Sequence, residues 1–156
     1  MAKKKHKKKK THEPPVLATN KKAFFNYHVL EKHVCGIVLE GAEVKAVRMR
    51  NVSLPESYCF FKNEELWVRQ MHIGNYTPAG YQNEDPTRTR KLLLQKNIIR
   101  RLQKKKLEQP LTIVPLRVFL SKKSWIKVEI ALVSGKKLHD KRAAIKNRDQ
   151  KRRADY

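Results

Sequence analysis

Short segments of alternating apolar and polar residues, two helical patterns between them and lysine-rich ends predict a mainly β protein. The expected architecture is one small antiparallel barrel with flanking short helices and disordered basic tails. The chain has 156 residues, the size of one domain plus tails. The expected divisions are a basic N-terminal tail over 1–18, a barrel over 19–134 and a basic C-terminal tail over 135–156.

The first eighteen residues are low-complexity lysine followed by Pro14-Pro15, and nothing there can form a core. Phe25, Tyr27 and Val29 then alternate with Asn26 and His28, which predicts a half-buried strand. A second extended piece, Val34 to Leu39, is interrupted by Gly36, marking a bulge or a close backbone approach. Gly41 to Arg50 mixes Ala42, Val44, Ala46 and Val47 with Glu43, Lys45 and Arg48, and reads as a short helix. Val52–Phe61 and Leu66–Ile73 are expected strands joined by a turn at 62–65. Tyr58, Phe60, Phe61 and Trp67 enrich this hairpin with aromatic residues.

Residues 74–90 lack periodicity and carry Gly74, Pro78, Gly80, Asp85 and Pro86, the marks of a long loop. A helix is expected over about 95–108. Ile98, Ile99, Leu102 and Leu107 would form its apolar stripe, opposite Arg100, Arg101, Lys104 and Lys105. The last unit reads as a hairpin, with Val114, Leu116, Val118 and Leu120 alternating on one strand and Ile126, Val128, Ile130 and Leu132 on the next. Ser121 to Ser124 make its turn, and Pro115 marks an edge or a bulge. Five or six short strands with two inserted helices fit an oligonucleotide-binding (OB) barrel better than the alternative SH3-like barrel.

Charge narrows the function. There are 37 Lys and Arg against 14 Asp and Glu, a formal net charge of +23. Residues 23–134 hold nineteen basic and ten acidic residues, so the body is basic as well as both ends. Solvating tails alone would not account for that. A polyanion would compensate the self-repulsion, and nucleic acid is the commonest one. An anionic membrane surface is the competing partner, but it requires an amphipathic helix with a clear apolar face, and neither tail has one. The lysine-rich start has no apolar h-region behind it, which argues against a signal peptide. No stretch reaches membrane-spanning length. Cys35 and Cys59 form no CxxC pair and read as reduced, buried thiols of a cytoplasmic protein.

Catalytic, metal and cofactor patterns are missing: there is no GxxxxGK[ST], GxSxG, HExxH or GxGxxG, and the six histidines show no metal-ligand spacing. His139-Asp140 is an adjacent pair without a placed nucleophile. The chain therefore reads as a binding protein with no cofactor, not an enzyme. RNA recognition draws on stacking as well as phosphate contacts, and His139, Tyr76, Tyr81 and the arginines are stacking candidates. Ordinary loop packing is the preferred reading for the two tyrosines.

In the C-terminal tail, Gly135-Lys136-Lys137-Leu138-His139-Asp140-Lys141-Arg142 precedes a run of good helix formers. Asp140 suits a helix N-cap. Wound as a helix, the segment spreads its cations around the cylinder and has no face to bury. It is expected to be largely disordered alone and helical against phosphates. A purely solubilising tail is an equally weighted alternative on pattern.

Four local motifs carry a resemblance. They are Asn20-Lys21-Lys22-Ala23, Gly41-Ala42-Glu43-Val44-Lys45-Ala46-Val47-Arg48, Asp85-Pro86-Thr87-Arg88-Thr89-Arg90-Lys91-Leu92-Leu93-Leu94, and the Gly135–Arg142 run. In that order and spacing, over about 17–150, the chain resembles the small protein B family, the SsrA-binding proteins. The resemblance implies an OB-fold body that binds the tRNA-like domain of transfer-messenger RNA. Asn20, Lys21, Lys22, Glu43, Lys45, Arg48, Arg88, Arg90, Lys91 and Leu93 would lie on or support that surface, with Leu93 an exposed apolar contact to unstacked bases. It implies that the tail enters the empty messenger channel of a stalled ribosome and becomes helical near the small-subunit decoding centre. There Gly135 would be the hinge and His139 would stack on a ribosomal RNA base. Asp140 would belong to the same ribosome-binding set, and Lys136, Lys137, Lys141, Arg142, Lys146 and Arg148 would hold phosphates. Elongation factor Tu is the implied companion, through charged transfer-messenger RNA. The chain departs from many members at Val34, where an acidic residue is common, and in ending at Tyr156. A structural ribosomal RNA-binding protein is the alternative reading.

Overall fold

The computed structural model describes residues 13–76 and 85–154. Its strands are β1 (Val16–Thr19), β2 (Tyr27–Ile37), β3 (Val52–Ser53), β4 (Tyr58–Lys62), β5 (Glu65–Arg69), β6 (His72–Ile73), β7 (Arg90–Leu93), β8 (Thr112–Leu120) and β9 (Ile126–Gly135). Its helices are α1 (Lys21–Asn26), α2 (Gly41–Arg48), α3 (Lys96–Glu108) and α4 (Leu138–Ala154).

The main sheet runs β1-β8-β4-β5-β7-β2-β9, every neighbour antiparallel, and β8 also pairs with β9. That last pairing closes the ring into the expected barrel, so the paired strands shield one another's edges. Strands β3 and β6 form a separate small ribbon. The β4–β5 turn is tight because Asn63 and Glu64 both take left-handed backbone, φ 51° and 58°, matching the twist of the flanking strands. The register of β8 shifts between Pro115 and Arg117, the bulge that the proline predicts.

Alternate side chains fill the barrel: Leu54, Leu66, Val68, Leu92, Ile113, Val118, Val128 and Ile130 are buried in one cluster with Cys35 and Cys59. Both thiols are free, and burial pushes Cys35 up to about 12. A second cluster, Val114, Leu116, Ala131 and Val133 with Ala23 of α1, lies on the other side of β8 and β9. These two strands are therefore covered on both faces.

Several expectations are corrected, and the expected strands over 52–61 and 66–73 are each two, β3 with β4 and β5 with β6. Phe25 lies in α1, not in a strand, because the Asn20 side chain accepts the Ala23 N–H at 3.0 Å and starts a helix there. The two extended pieces at 25–39 are one strand, β2, whose register shift falls between Val29 and Glu31 rather than at Gly36. The tail boundary at 18 falls inside β1, whose Val16 and Ala18 pair with Phe119 and Val118 of β8. The remainder of the expected N-terminal tail, through residue 12, and loop residues 77–84 with Tyr81 lie outside the described residues.

Helix α3 is buried at Ile99 and Leu102, while Leu107 is 84% exposed and off the expected stripe. Its cations find a carboxylate: Lys105 and Arg101 each donate to Glu31 of β2 at 2.5 Å, and His33 lies 2.7 Å from the same group. Hydrogen bonding from Lys105, against the opposing effect of burial and aided by His33 and Arg101, holds the Glu31 carboxyl down at about 2. Stability from this lowered value is complete above the ordinary carboxylate range near 4.5 and is lost as pH falls towards 2. Glu31→Gln is expected to flatten the loss of stability between pH 4.5 and 2, read as urea midpoints across that range.

Candidate nucleic-acid interface

Helix α2 starts with a reciprocal cap between Glu40 and Glu43, the Glu43 carboxylate accepting the Glu40 N–H at 3.0 Å. The same carboxylate reaches across to the segment leading into β7. Arg88 donates to it through Nε at 2.9 Å and a terminal nitrogen at 2.5 Å, and Arg90 through Nε at 2.8 Å. Arg90 has no exposed side-chain surface, and it also donates to the backbone carbonyls of Met71 (2.7 Å), Pro86 (3.1 Å) and Arg88 (3.2 Å). Burial raises the Glu43 carboxyl, but hydrogen bonds from Arg88, Arg90 and the Glu40 N–H outweigh it and hold it below its ordinary value. One carboxylate thus fixes α2, the loop at Pro86 and the start of β7 in one arrangement.

This divides the expected set, which was to lie on or support the RNA-binding surface. Arg90 and Glu43 are buried partners of each other, so they support the surface and cannot face a ligand. Asn20 is also buried, its amide donating to Pro115 O at 3.0 Å and Leu54 O at 3.4 Å while its oxygen starts α1. Lys22 pairs with Glu56, and Lys91 pairs with Glu65.

The residues that do face outward lie on α1, α2 and β7. Lys45 and Arg48 are exposed on α2, with the Lys45 ammonium 5.2 Å from the centre of the Tyr76 ring. Tyr76 thus stands beneath a cation. Lys21 is exposed on α1. Leu93 is 52% exposed, while Leu92 beside it is in the core. Gly36 lies opposite Leu93 across the β2–β7 pair, and a Cβ there would stand 3.3 Å from the Leu93 Cβ. The glycine thus provides the expected close approach. Val34 and Val38, two residues to either side on β2 and just beyond it, are also exposed. Sequence reasoning placed Val34 in an extended piece and named it as a departure, but not as part of this face. Its alternation with Gly36 and Val38 was the available signal that three apolar positions share the Leu93 face.

The tail leaves β9 at Gly135, where a Cβ would meet open space. Lys136 is anchored to α1, its N–H donating to Asn26 O at 2.9 Å and its ammonium to Phe24 O at 3.2 Å. It was expected to hold phosphate, and in this arrangement it holds the end of α1. Residues 138–154 form α4, although none of them is buried. This differs from the expectation of helix only against RNA: Asp140 in the first turn and Lys151, Arg152 and Arg153 in the last complement the helix dipole. Asp140 is not the cap residue. Its carboxylate lies 3.2 Å from His28 of β2 and accepts the Lys137 N–H, and those bonds, His28 first, hold it below its ordinary value. His139 stands almost wholly in solvent, its side chain 94% exposed. Lys137, Arg142, Lys146 and Arg148 are exposed and Lys141 half-buried.

Among the described residues no histidine, cysteine and carboxylate cluster could hold a metal, and no helix is long and apolar enough to cross a membrane. A closed antiparallel barrel with exposed lysine, arginine and apolar side chains, and a cationic helix beyond it, has the features of a polyanion-binding protein of the OB-like class. The chain belongs to the SmpB family, whose model, described as "SmpB protein", matches residues 17–156. An SsrA-binding protein of Cytophaga hutchinsonii is 49% identical over 85% of this chain and 87% of its own length. One from Trichodesmium erythraeum is 46% identical over 88% of each. A solved structure described as "tmRNA-SmpB: a journey to the center of the bacterial ribosome" superposes with TM-score 0.66 at 39% identity, covering 80% of this chain and 86% of that one.

Glu43→Gln would leave the buried Arg90 guanidinium without its counter-charge. It is expected to cost about 3–5 kcal/mol in urea unfolding. Lys45→Ala, at an exposed position, is expected to cost less than about 1 kcal/mol in the same assay.

Proposed function

We propose that this chain is an RNA-binding adaptor without chemistry of its own. It binds the tRNA-like domain of transfer-messenger RNA through the barrel and delivers it to stalled ribosomes in the cytoplasm. Family membership supports this, and so does the name of the solved neighbour, which couples tmRNA to the ribosome. The observation that carries it is a division of labour within the chain. A rigid barrel presents Lys45, Arg48 and Leu93, while α4 presents cations on all sides and buries nothing.

The two parts use different physics. On the barrel, Lys21, Lys45 and Arg48 neutralise phosphates, with Lys22, Arg88 and Lys91 at the margin where each also has an ion-pair partner. Leu93, raised on Gly36 and flanked by Val34 and Val38, offers an apolar surface to unstacked bases. On the tail, Lys137, Lys141, Arg142, Lys146 and Arg148 face a phosphate-lined channel that relieves their mutual repulsion. His139, unobstructed in the first turn of α4, stacks on a base in the small-subunit decoding centre. Messenger RNA in that channel would exclude the helix, so occupancy by α4 reports an empty channel. Elongation factor Tu joins through the charged transfer-messenger RNA.

If the parts are separable, His139→Ala combined with Asp140→Ala is expected to leave RNA affinity within about twofold and abolish tagging on stalled ribosomes. Equal loss of both activities would contradict the division. Lys45→Ala or Arg48→Ala is expected to weaken RNA binding. Either should lower the slope of log affinity against log salt by about one for each phosphate no longer neutralised.

A further inference from the structure

The turn joining β8 to β9 carries a tryptophan that neither the core nor the surface described above uses. Trp125 is 66% exposed, and Lys122, Lys123 and Ser124 before it are exposed as well. An indole buries on the order of 150–250 Å² when it is packed, so leaving it in water forgoes a large hydrophobic gain. The other tryptophan, Trp67, is half-buried in β5 opposite Phe60.

The backbone beneath the exposed indole is pinned. The Trp125 N–H donates to Ser121 Oγ at 3.2 Å, and the Ser121 N–H donates to Trp125 O at 2.8 Å. The Ser124 N–H donates to Ser121 O at 2.9 Å, and Ser124 takes a left-handed φ of 60°. Arg48 of α2 reaches the same turn, donating to Ser124 O at 3.3 Å. The turn is thereby tied to the helix that presents Lys45 and Arg48. From Arg117 to Lys127 the hairpin contains no acidic residue. An aromatic face held on a rigid turn, among cations and next to a basic helix, suits a planar, anionic partner.

We propose that Trp125 is a stacking platform for an unstacked base of the bound RNA, with Lys122, Lys123 and Arg48 meeting the phosphates beside it. This rests on the RNA-binding reading above and extends its surface from α2 to the β8–β9 turn. Stacking on an aromatic ring tolerates any base, so Trp125 adds affinity and fixes where the strand lies rather than which sequence is bound.

The test uses the full chain and the tRNA-like domain of transfer-messenger RNA as probe. The chain has two tryptophans, so Trp67→Phe leaves Trp125 as the sole indole. Its fluorescence is expected to be quenched as RNA is added. If that variant fails to fold, the difference in quenching between the unaltered chain and Trp125→Phe gives the same readout. Trp125→Ala is expected to weaken binding about tenfold with the salt slope unchanged, because the stacked base loses its platform while every phosphate keeps its cation. Trp125→Phe should recover most of the affinity. Binding without quenching, or full affinity in Trp125→Ala, would overturn the proposal while leaving the adaptor reading in place. A reduced salt slope in Trp125→Ala would overturn it in favour of an electrostatic role. Lost tagging with unchanged RNA affinity would overturn it in favour of a ribosomal partner. No selective binding by the unaltered chain would bring down both readings.

Discussion

A single buried carboxylate, Glu43, holds α2, the Pro86 loop and the start of β7 in one arrangement. It closes the first turn of α2 and takes both Arg88 and Arg90 across the gap to β7. Arg90 in turn fixes the carbonyls of Met71, Pro86 and Arg88, so the loop that returns from residue 85 is held where it meets the barrel. Lys45 and Arg48 follow Glu43 on the same short helix. Leu93 follows Arg90 on the same short strand. The spacing between the exposed cations and the exposed leucine is therefore set by one buried ion cluster. Such a cluster contributes little net stability compared with a well-packed apolar substitute, but breaking it on one side leaves a charge with no solvent. Here the gain is geometric.

The rest of the molecule divides its charge between places that use it and places that neutralise it. Glu31 absorbs Arg101 and Lys105 of α3, Glu129 takes Arg117 at 2.8 Å, and Glu56 and Glu65 take Lys22 and Lys91. The few acidic residues of the body are thus spent on pinning strands and helices. Further exposed cations lie on α2, on the β8–β9 turn and on α4. In α4 nothing apolar is buried, so its attachment depends on Lys136 at the end of α1 and on Asp140 at His28. These contacts hold the first turn of α4 beside α1 and β2, and the helix beyond buries no side chain.

Local patterning made much of this legible. Period-two alternation located β8 and β9, 3.6 periodicity located α3, and the Gly41–Arg50 run located α2, which ends two residues earlier at Arg48. Pro115 gave the bulge and Gly36 the close approach. What patterning could not supply was long-range hydrogen bonding. Asn20 starts α1 while its amide is held by carbonyls 34 and 95 residues away in sequence, and without those partners Phe25 to Val29 looks like any alternating strand. Arg90 sits in a basic run and reads as a phosphate ligand until Glu43, 47 residues earlier, is placed beside it. One signal was present and passed over. The near-continuous apolar run Val128, Ile130, Ala131, Leu132, Val133 implies a strand covered on both faces, and α1 is what covers the second.

Selective recognition by the barrel is the claim on which the functional account stands. It is tested most directly by competition at roughly physiological salt, where non-specific phosphate attraction is weakened. Labelled tRNA-like domain of transfer-messenger RNA is bound to the full chain and challenged with excess ordinary tRNA and generic duplex RNA. The account predicts that the labelled RNA stays bound. Equal displacement by ordinary RNA would contradict it, and would leave the surface of Lys45, Arg48 and Leu93 as a general phosphate-binding face.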